Sequence, residues 1–160
     1  MFEQSTTGTH SQTHAALTRL SLAGAMREID DGIQSVQAAL GPQLRVAPFF
    51  RAPYLQTTAD LRQFLFKRDL MLWSVDVDPE DWRPQSAEAV VEHILTLLEA
   101  KHSGIVLLHD VQPHTAAAIP GLLRELNSRG YSIVQAVATD TETKPVAISS
   151  DAVASQTRLK

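Results

Sequence analysis

Residues 104–137 read GIVLLHDVQPHTAAAIPGLLRELNSRGYSIVQAV, and the order of patterns within them decides the fold class. Ile105 to Leu108 is an unbroken apolar run, with Gly104 at the turn before it. Such a run suits a strand covered on both faces, not the alternating stripe of a half-exposed one. From about Thr115 to Arg129, Ile119, Leu122, Leu123 and Leu126 recur at helical spacing, and Gly130 supplies the C-terminal cap. Tyr131 to Val137 then reads as the next and last strand.

The same alternation extends upstream. Ser86 caps a helix striped by Val90, Val91, Ile94, Leu95 and Leu98. Before it, Leu70 to Val75 is a buried strand, and Thr58 caps a helix that turns Leu61, Phe64 and Leu65 inward. A short strand from Val46 to Phe50 is broken by Pro48 and closed by Pro53. Leu22, Met26, Ile29, Ile33, Val36 and Leu40 form one face of an amphipathic helix that Gly41-Pro42 stops. Apolar strands alternating with helices give an α/β fold with parallel strands. Four strands are too few to close a barrel, so the pattern leaves an open sheet and an incomplete barrel both open. From Ala138 onward the Thr, Ser, Ala and Asp residues lack periodicity, so 138–160 reads as a disordered tail behind one domain, 1–137.

Composition narrows the function classes. At 160 residues, 44% of them hydrophobic and without cysteine, the chain can bury a core unaided but cannot form disulfides or thiolate zinc sites. The net charge of -4, with Lys and Arg scattered, argues against nucleic acid as a partner. No apolar run approaches the ~20 residues needed to span a bilayer.

Chemistry in α/β folds gathers at the C-terminal ends of strands. Arg51-Ala52-Pro53-Tyr54, Asp76 to Trp82 and His109-Asp110 fall there, and Gly8 to His14 lies just before the first helix. His10 and His14 are four apart, so one helical turn would place both imidazoles on one side of a metal ion. By itself, such a pair is more often surface or capping chemistry. His109 alone could be a satisfied strand-end histidine, Asp78 to Trp82 a turn, and Arg51 a structural ion-pairing residue.

Their joint order is more telling. His-Ser-x-x-His (His10 to His14), Arg-x-Pro-Tyr (Arg51 to Tyr54), Asp-x-x-Asp-Trp (Asp78 to Trp82) and Leu-x-His (Leu107 to His109) follow one another as in the polysaccharide deacetylase, or NodB-homology, family. The resemblance runs from about Gly8 to Val137 and implies a distorted parallel (β/α) barrel. It implies a divalent metal, usually zinc, and removal of acetyl groups from N- or O-acetylated oligo- or polysaccharide. His10 and His14 then resemble the two histidine metal ligands, and Arg51 the arginine that orients the base aspartate. The Tyr54 amide resembles the oxyanion donor. His109 resembles the general acid, and Asp81 the carboxylate that would hold it and raise its pKa. Trp82 and Leu107 resemble walls of the acetyl pocket. By the same resemblance the protein is expected in the periplasm or outside the cell.

The family's first motif, Thr-Phe-Asp-Asp, supplies the base and the aspartate metal ligand upstream of the histidines. Nine residues precede His10 here, and their one acid is Glu3. The chain is therefore expected to be N-terminally incomplete, short of a third metal ligand and impaired on its own. A non-catalytic sugar- or metal-binding remnant is the alternative, as is, less in keeping with the motifs, an unrelated open-sheet binding domain. Missing strands would leave a sheet edge open to self-association. Asp30-Asp31 does not replace the motif, because Ile29 and Ile33 take the buried face and leave both acids toward solvent. His93, His102 and His114 read as surface histidines.

Overall fold

A computed structural model describes residues 5–138. Glu3 and residues 139–160, nearly all of the expected tail, lie outside them. Among the described residues four α-helices accompany a small parallel sheet: α1 (Leu22–Leu40), α2 (Ala59–Lys67), α3 (Ala87–Lys101) and α4 (Pro113–Ser128), with β1 (Phe49–Arg51) and β2 (Met71–Trp73). Three helices begin where a hydroxyl side chain accepts an orphan amide: Ser21 from Gly24, Thr58 from Leu61 and Ser86 from Ala89. The helix α4 ends at Arg129, and Gly130 takes the left-handed φ of 77° that its position requires.

The strands run parallel in register, Phe49 opposite Met71 and Arg51 opposite Trp73. Two isolated parallel bridges extend the sheet, Thr9 with Phe50 and Val77 with Val106. The chain thus lays its strand segments side by side in sequence order. A right-handed crossover that always steps the same way puts its helices on one face. The order-reversing switch of a doubly wound sheet, which the open-sheet reading needs, is not found among the described residues.

Burial follows from that layering. Leu17, Ala25, Ile29, Phe50, Ala52, Leu61 and Leu65 make one apolar cluster beneath α1 and α2. Val77, Val90, Ile94, Leu95, Leu98, Ala118, Leu122 and Leu126 make a second between α3, α4 and the sheet. Three expectations need correction. Tyr131–Val137 forms no strand and Ile105–Leu108 pairs only through its bridge, because the neighbours that would complete their ladders are absent among the described residues. Leu22 and Leu123 lie exposed, since Ala25 and Gly32 on α1, and Thr115 and Ala118 on α4, occupy the buried lines instead. Met71 is also exposed, so β2 is covered less fully than its apolar run suggests.

Candidate active site

Thr9 pairs with β1 through its main chain, which delivers the next residue, His10, beside the end of that strand. His10 Nδ1 lies 2.6 Å from the carbonyl oxygen of Arg51. A carbonyl only accepts, so Nδ1 carries the proton and Nε2 keeps its lone pair. That Nε2 is buried and has no hydrogen-bond partner. Burial, together with the nearby charges of Arg51, His14 and His109, lowers the His10 pKa to about 4 despite the opposing Arg51 hydrogen bond. The ring is neutral at pH 7, the form that binds metal.

His14 reaches the same place by a different route from the one its spacing suggests. Residues 10–14 are not helical; Ser11 and His14 adopt left-handed φ values of 62° and 59°. The resulting loop brings the two imidazoles edge to face with ring centroids 4.9 Å apart. It is seated on one line of α1. Glu28 accepts hydrogen bonds from the Thr13 amide and hydroxyl, Gln12 accepts one from Ser35, and Gly32 lies directly under Ser11. The Thr13 amide holds the Glu28 carboxyl below its usual range. Asp30 pairs with Arg68 while Asp31 faces solvent, so neither acid approaches the histidines through an ion pair or hydrogen bond.

Past β1, the turn Pro53–Leu55 places Tyr54 and Leu55 at left-handed φ and lays the Tyr54 ring 4.9 Å from that of His14. Arg51 is half-buried; desolvation lowers its pKa and the field of Asp78 opposes the loss. His10, Arg51 and Leu107 line a groove of about 1050 Å³ bounded by the strand segments and residues 133–136. Among the described residues the buried side-chain atoms without a partner, Thr9 Oγ1, His10 Nε2 and Trp73 Nε1, all belong to residues of this groove.

A second group centres on Asp81, which is completely buried. Its Oδ1 accepts from His109 Nδ1 at 2.6 Å, and its Oδ2 from the His109 amide at 2.6 Å and the Thr115 hydroxyl at 2.8 Å. Burial alone would raise the Asp81 pKa, but the His109 and Thr115 hydrogen bonds outweigh it and hold the carboxyl below its usual range. His114 Nε2 donates to the Asp81 carbonyl at 2.6 Å, and His93 Nδ1 lies 3.1 Å from that of Pro79. His114 is half-buried, not the surface residue its position suggests, whereas His93 is exposed as expected; both rings hold the loop between β2 and α3. His102 also stays at the surface, capping α3 in a left-handed conformation. Trp82, half exposed, stands under the Arg83 guanidinium.

Comparison with known proteins bears on this arrangement. No family model matches the chain. The peptidoglycan-N-acetylmuramic acid deacetylase PdaC of Bacillus subtilis is 32% identical over 127 residues, 79% of this chain and 26% of that protein. The Bdellovibrio bacteriovorus peptidoglycan deacetylase Bd3279 superposes with a TM-score of 0.74 at 38% identity, covering 84% of this chain and 37% of that one. A family 4 carbohydrate esterase from Streptomyces lividans, in complex with acetate, superposes with a TM-score of 0.66 at 32% identity over 78% of this chain and 62% of that one.

Over about four fifths of its length the chain is similar to polysaccharide deacetylases of carbohydrate esterase family 4.

It spans about a quarter of the length of the curated relatives it matches first. Of the eight residues that the family's motifs pick out, the fold sets His10 against the Arg51 carbonyl and the His14 ring, sets His14 against Tyr54, and joins Asp81 to His109. Among the described residues no group of three or more His, Cys, Asp or Glu is placed to hold a metal. The histidine pair fits the family's metal as two of its ligands, on the evidence of the orphaned Nε2, but a third is not among these residues.

Proposed function

We propose that this chain is a segment of a polysaccharide deacetylase and serves the hydrolysis of acetyl groups from N- or O-acetylated carbohydrate, with peptidoglycan glycan as the leading substrate by analogy with its relatives. One observation carries the reading: the fold that buries an unpartnered lone pair on His10 beside the His14 ring also fixes the His109 ring with a buried carboxylate. The sequential parallel segments then form an arc of a distorted (β/α) barrel, open along residues 131–138. An enzyme acting on such glycans would work in the periplasm or outside the cell.

His10 and His14 would hold a divalent metal, for which zinc suits two imidazoles. When bound, it supplies Lewis acidity toward the acetyl carbonyl and toward water. The chain's own residues do the rest. His109 carries the proton that the leaving nitrogen or oxygen needs, on Nε2 of the imidazolium, while Asp81 stabilises that charge from the other side. The Tyr54 amide, in its left-handed turn, would donate to the developing oxyanion. Arg51 brings positive charge to the groove, and Leu107 and Trp82 would enclose the methyl group.

A second reading is a sugar- or metal-binding module without turnover, favoured by the absence of a three-ligand group among the described residues. A calorimetric zinc titration of the chain, with His10→Ala as control, separates the two when paired with an acetate-release assay on N-acetylated glycan. One-to-one binding lost in the variant, with acetate released, supports the enzyme. Zinc binding without acetate supports the module, and binding indifferent to His10 removes the metal site.

A further inference from the structure

We propose that Thr115 is a positioning residue for His109, acting through the Asp81 carboxylate to keep the His109 proton on Nδ1 and leave Nε2 as the nitrogen that exchanges protons. The proposal deepens the reading of His109 as an acid, and rests on that reading only for its catalytic meaning.

An ionised carboxylate can only accept hydrogen bonds, so each group facing Asp81 must donate. Asp81 is out of reach of water, and three donors serve it: two on Oδ2 and one on Oδ1. The two on Oδ2, the His109 amide and the Thr115 hydroxyl, come from different elements and fix the plane of the carboxylate. That leaves Oδ1 aimed at His109 Nδ1. Remove the hydroxyl and Oδ2 keeps one donor, the carboxylate can rock about its last side-chain bond, and the hold on Nδ1–H weakens.

The first turn of α4 is arranged for this task. Pro113 opens it, Gln112 offers no side-chain cap, and the Asp81 carboxylate lies where the helix start favours negative charge. His114 and Thr115 then grip one residue, Asp81, by its carbonyl and its carboxylate. Thr115 is completely buried, and its hydroxyl is spent on this one bond.

The test reads the imidazole directly, by two-bond proton–nitrogen correlation of the full chain at about pH 8. The unaltered chain should show His109 with a protonated Nδ1 and a bare Nε2. In Thr115→Val the two nitrogen shifts should move toward each other as the second tautomer becomes populated, and Thr115→Ser should restore the original pattern. Thr96→Val, which removes an exposed hydroxyl bonded within α3, should change nothing at His109. A Thr115→Val spectrum identical to that of the unaltered chain overturns the proposal, as does a Thr115→Ser spectrum that fails to restore it.

If Thr115→Val does not fold, the unaltered chain still decides. A slowly exchanging Thr115 hydroxyl proton with a cross-relaxation contact to the His109 amide supports the assignment, and a rapidly exchanging one overturns it. Failure to release acetate would count against the deacetylase reading while leaving this assignment standing.

Discussion

At the scale of single residues, two groups of the candidate site contribute to the pH dependence of the metal-free chain. His10 has a folded pKa near 4, against 6.5 when exposed. Between those values the unfolded chain binds more protons, so stability rises with pH across that window and is lost as pH falls from 6.5 to 4. Discounted for partial solvent exposure, the loss is on the order of 1–2 kcal/mol. Asp81, lowered by its donors, adds a further loss only below the ordinary carboxylate range, as the folded carboxylate is protonated. Denaturant titrations in chelator from pH 7 to pH 4 should show the first decline, and His10→Ala should flatten it. An unchanged slope in that variant would assign the decline elsewhere. The sequence made His10, His14, Asp81 and His109 legible because their types recur in motif order. It could not show His114 and Thr115 as partners of Asp81. Nothing local distinguishes a histidine at a helix start from one that reaches across to another loop.

At the scale of elements, the helix starts were legible and the histidine loop was not. Hydroxyl caps act on amides two or three residues ahead, so Thr58 and Ser86 announce themselves. Thr58→Ala and Ser86→Ala should each cost about 1 kcal/mol in thermal or denaturant unfolding. The loop 10–14 instead depends on left-handed φ at Ser11 and His14, a conformation that non-glycine residues adopt only when tertiary contacts impose it. The contact that imposes it includes Gly32. Gly to Ala inside a helix ordinarily stabilises by about 0.5–1 kcal/mol. At Gly32 an added Cβ would stand 2.7 Å from the Ser11 carbonyl carbon and oxygen, both backbone atoms. Overpacking of that kind costs about 1–3 kcal/mol, so the sign reverses. Gly32→Ala should lower stability and weaken zinc binding together, whereas Gly121→Ala, with only van der Waals neighbours, should do neither.

At the scale of the whole molecule, the sheet does not close among the described residues. The two apolar clusters lie under separate helix pairs, and the strand segments join them in sequence order as far as Val106. Beyond α4, residues 131–138 run on without a ladder, tied to the start of the chain by the Thr6 hydroxyl on the Ala136 carbonyl and by Gln135 on Thr6. Ile133, Val134 and Val137 are 65%, 84% and 63% exposed there, which decides how this edge should behave. Adjacent β-branched residues with free main-chain groups form a template for pairing with another strand. The sequence anticipated a strand here from composition, but composition cannot say whether a strand has a neighbour. The chain should therefore self-associate reversibly as its concentration rises. Val134→Lys places a charge on the most exposed of these residues, so sedimentation equilibrium should show weaker association. The unfolding free energy should stay within about 0.5 kcal/mol, as for other surface substitutions. Association of equal strength in Val134→Lys would mean that the edge is not the contact, and the exposed Phe66 of α2 and Met71 of β2 would become the residues to alter next.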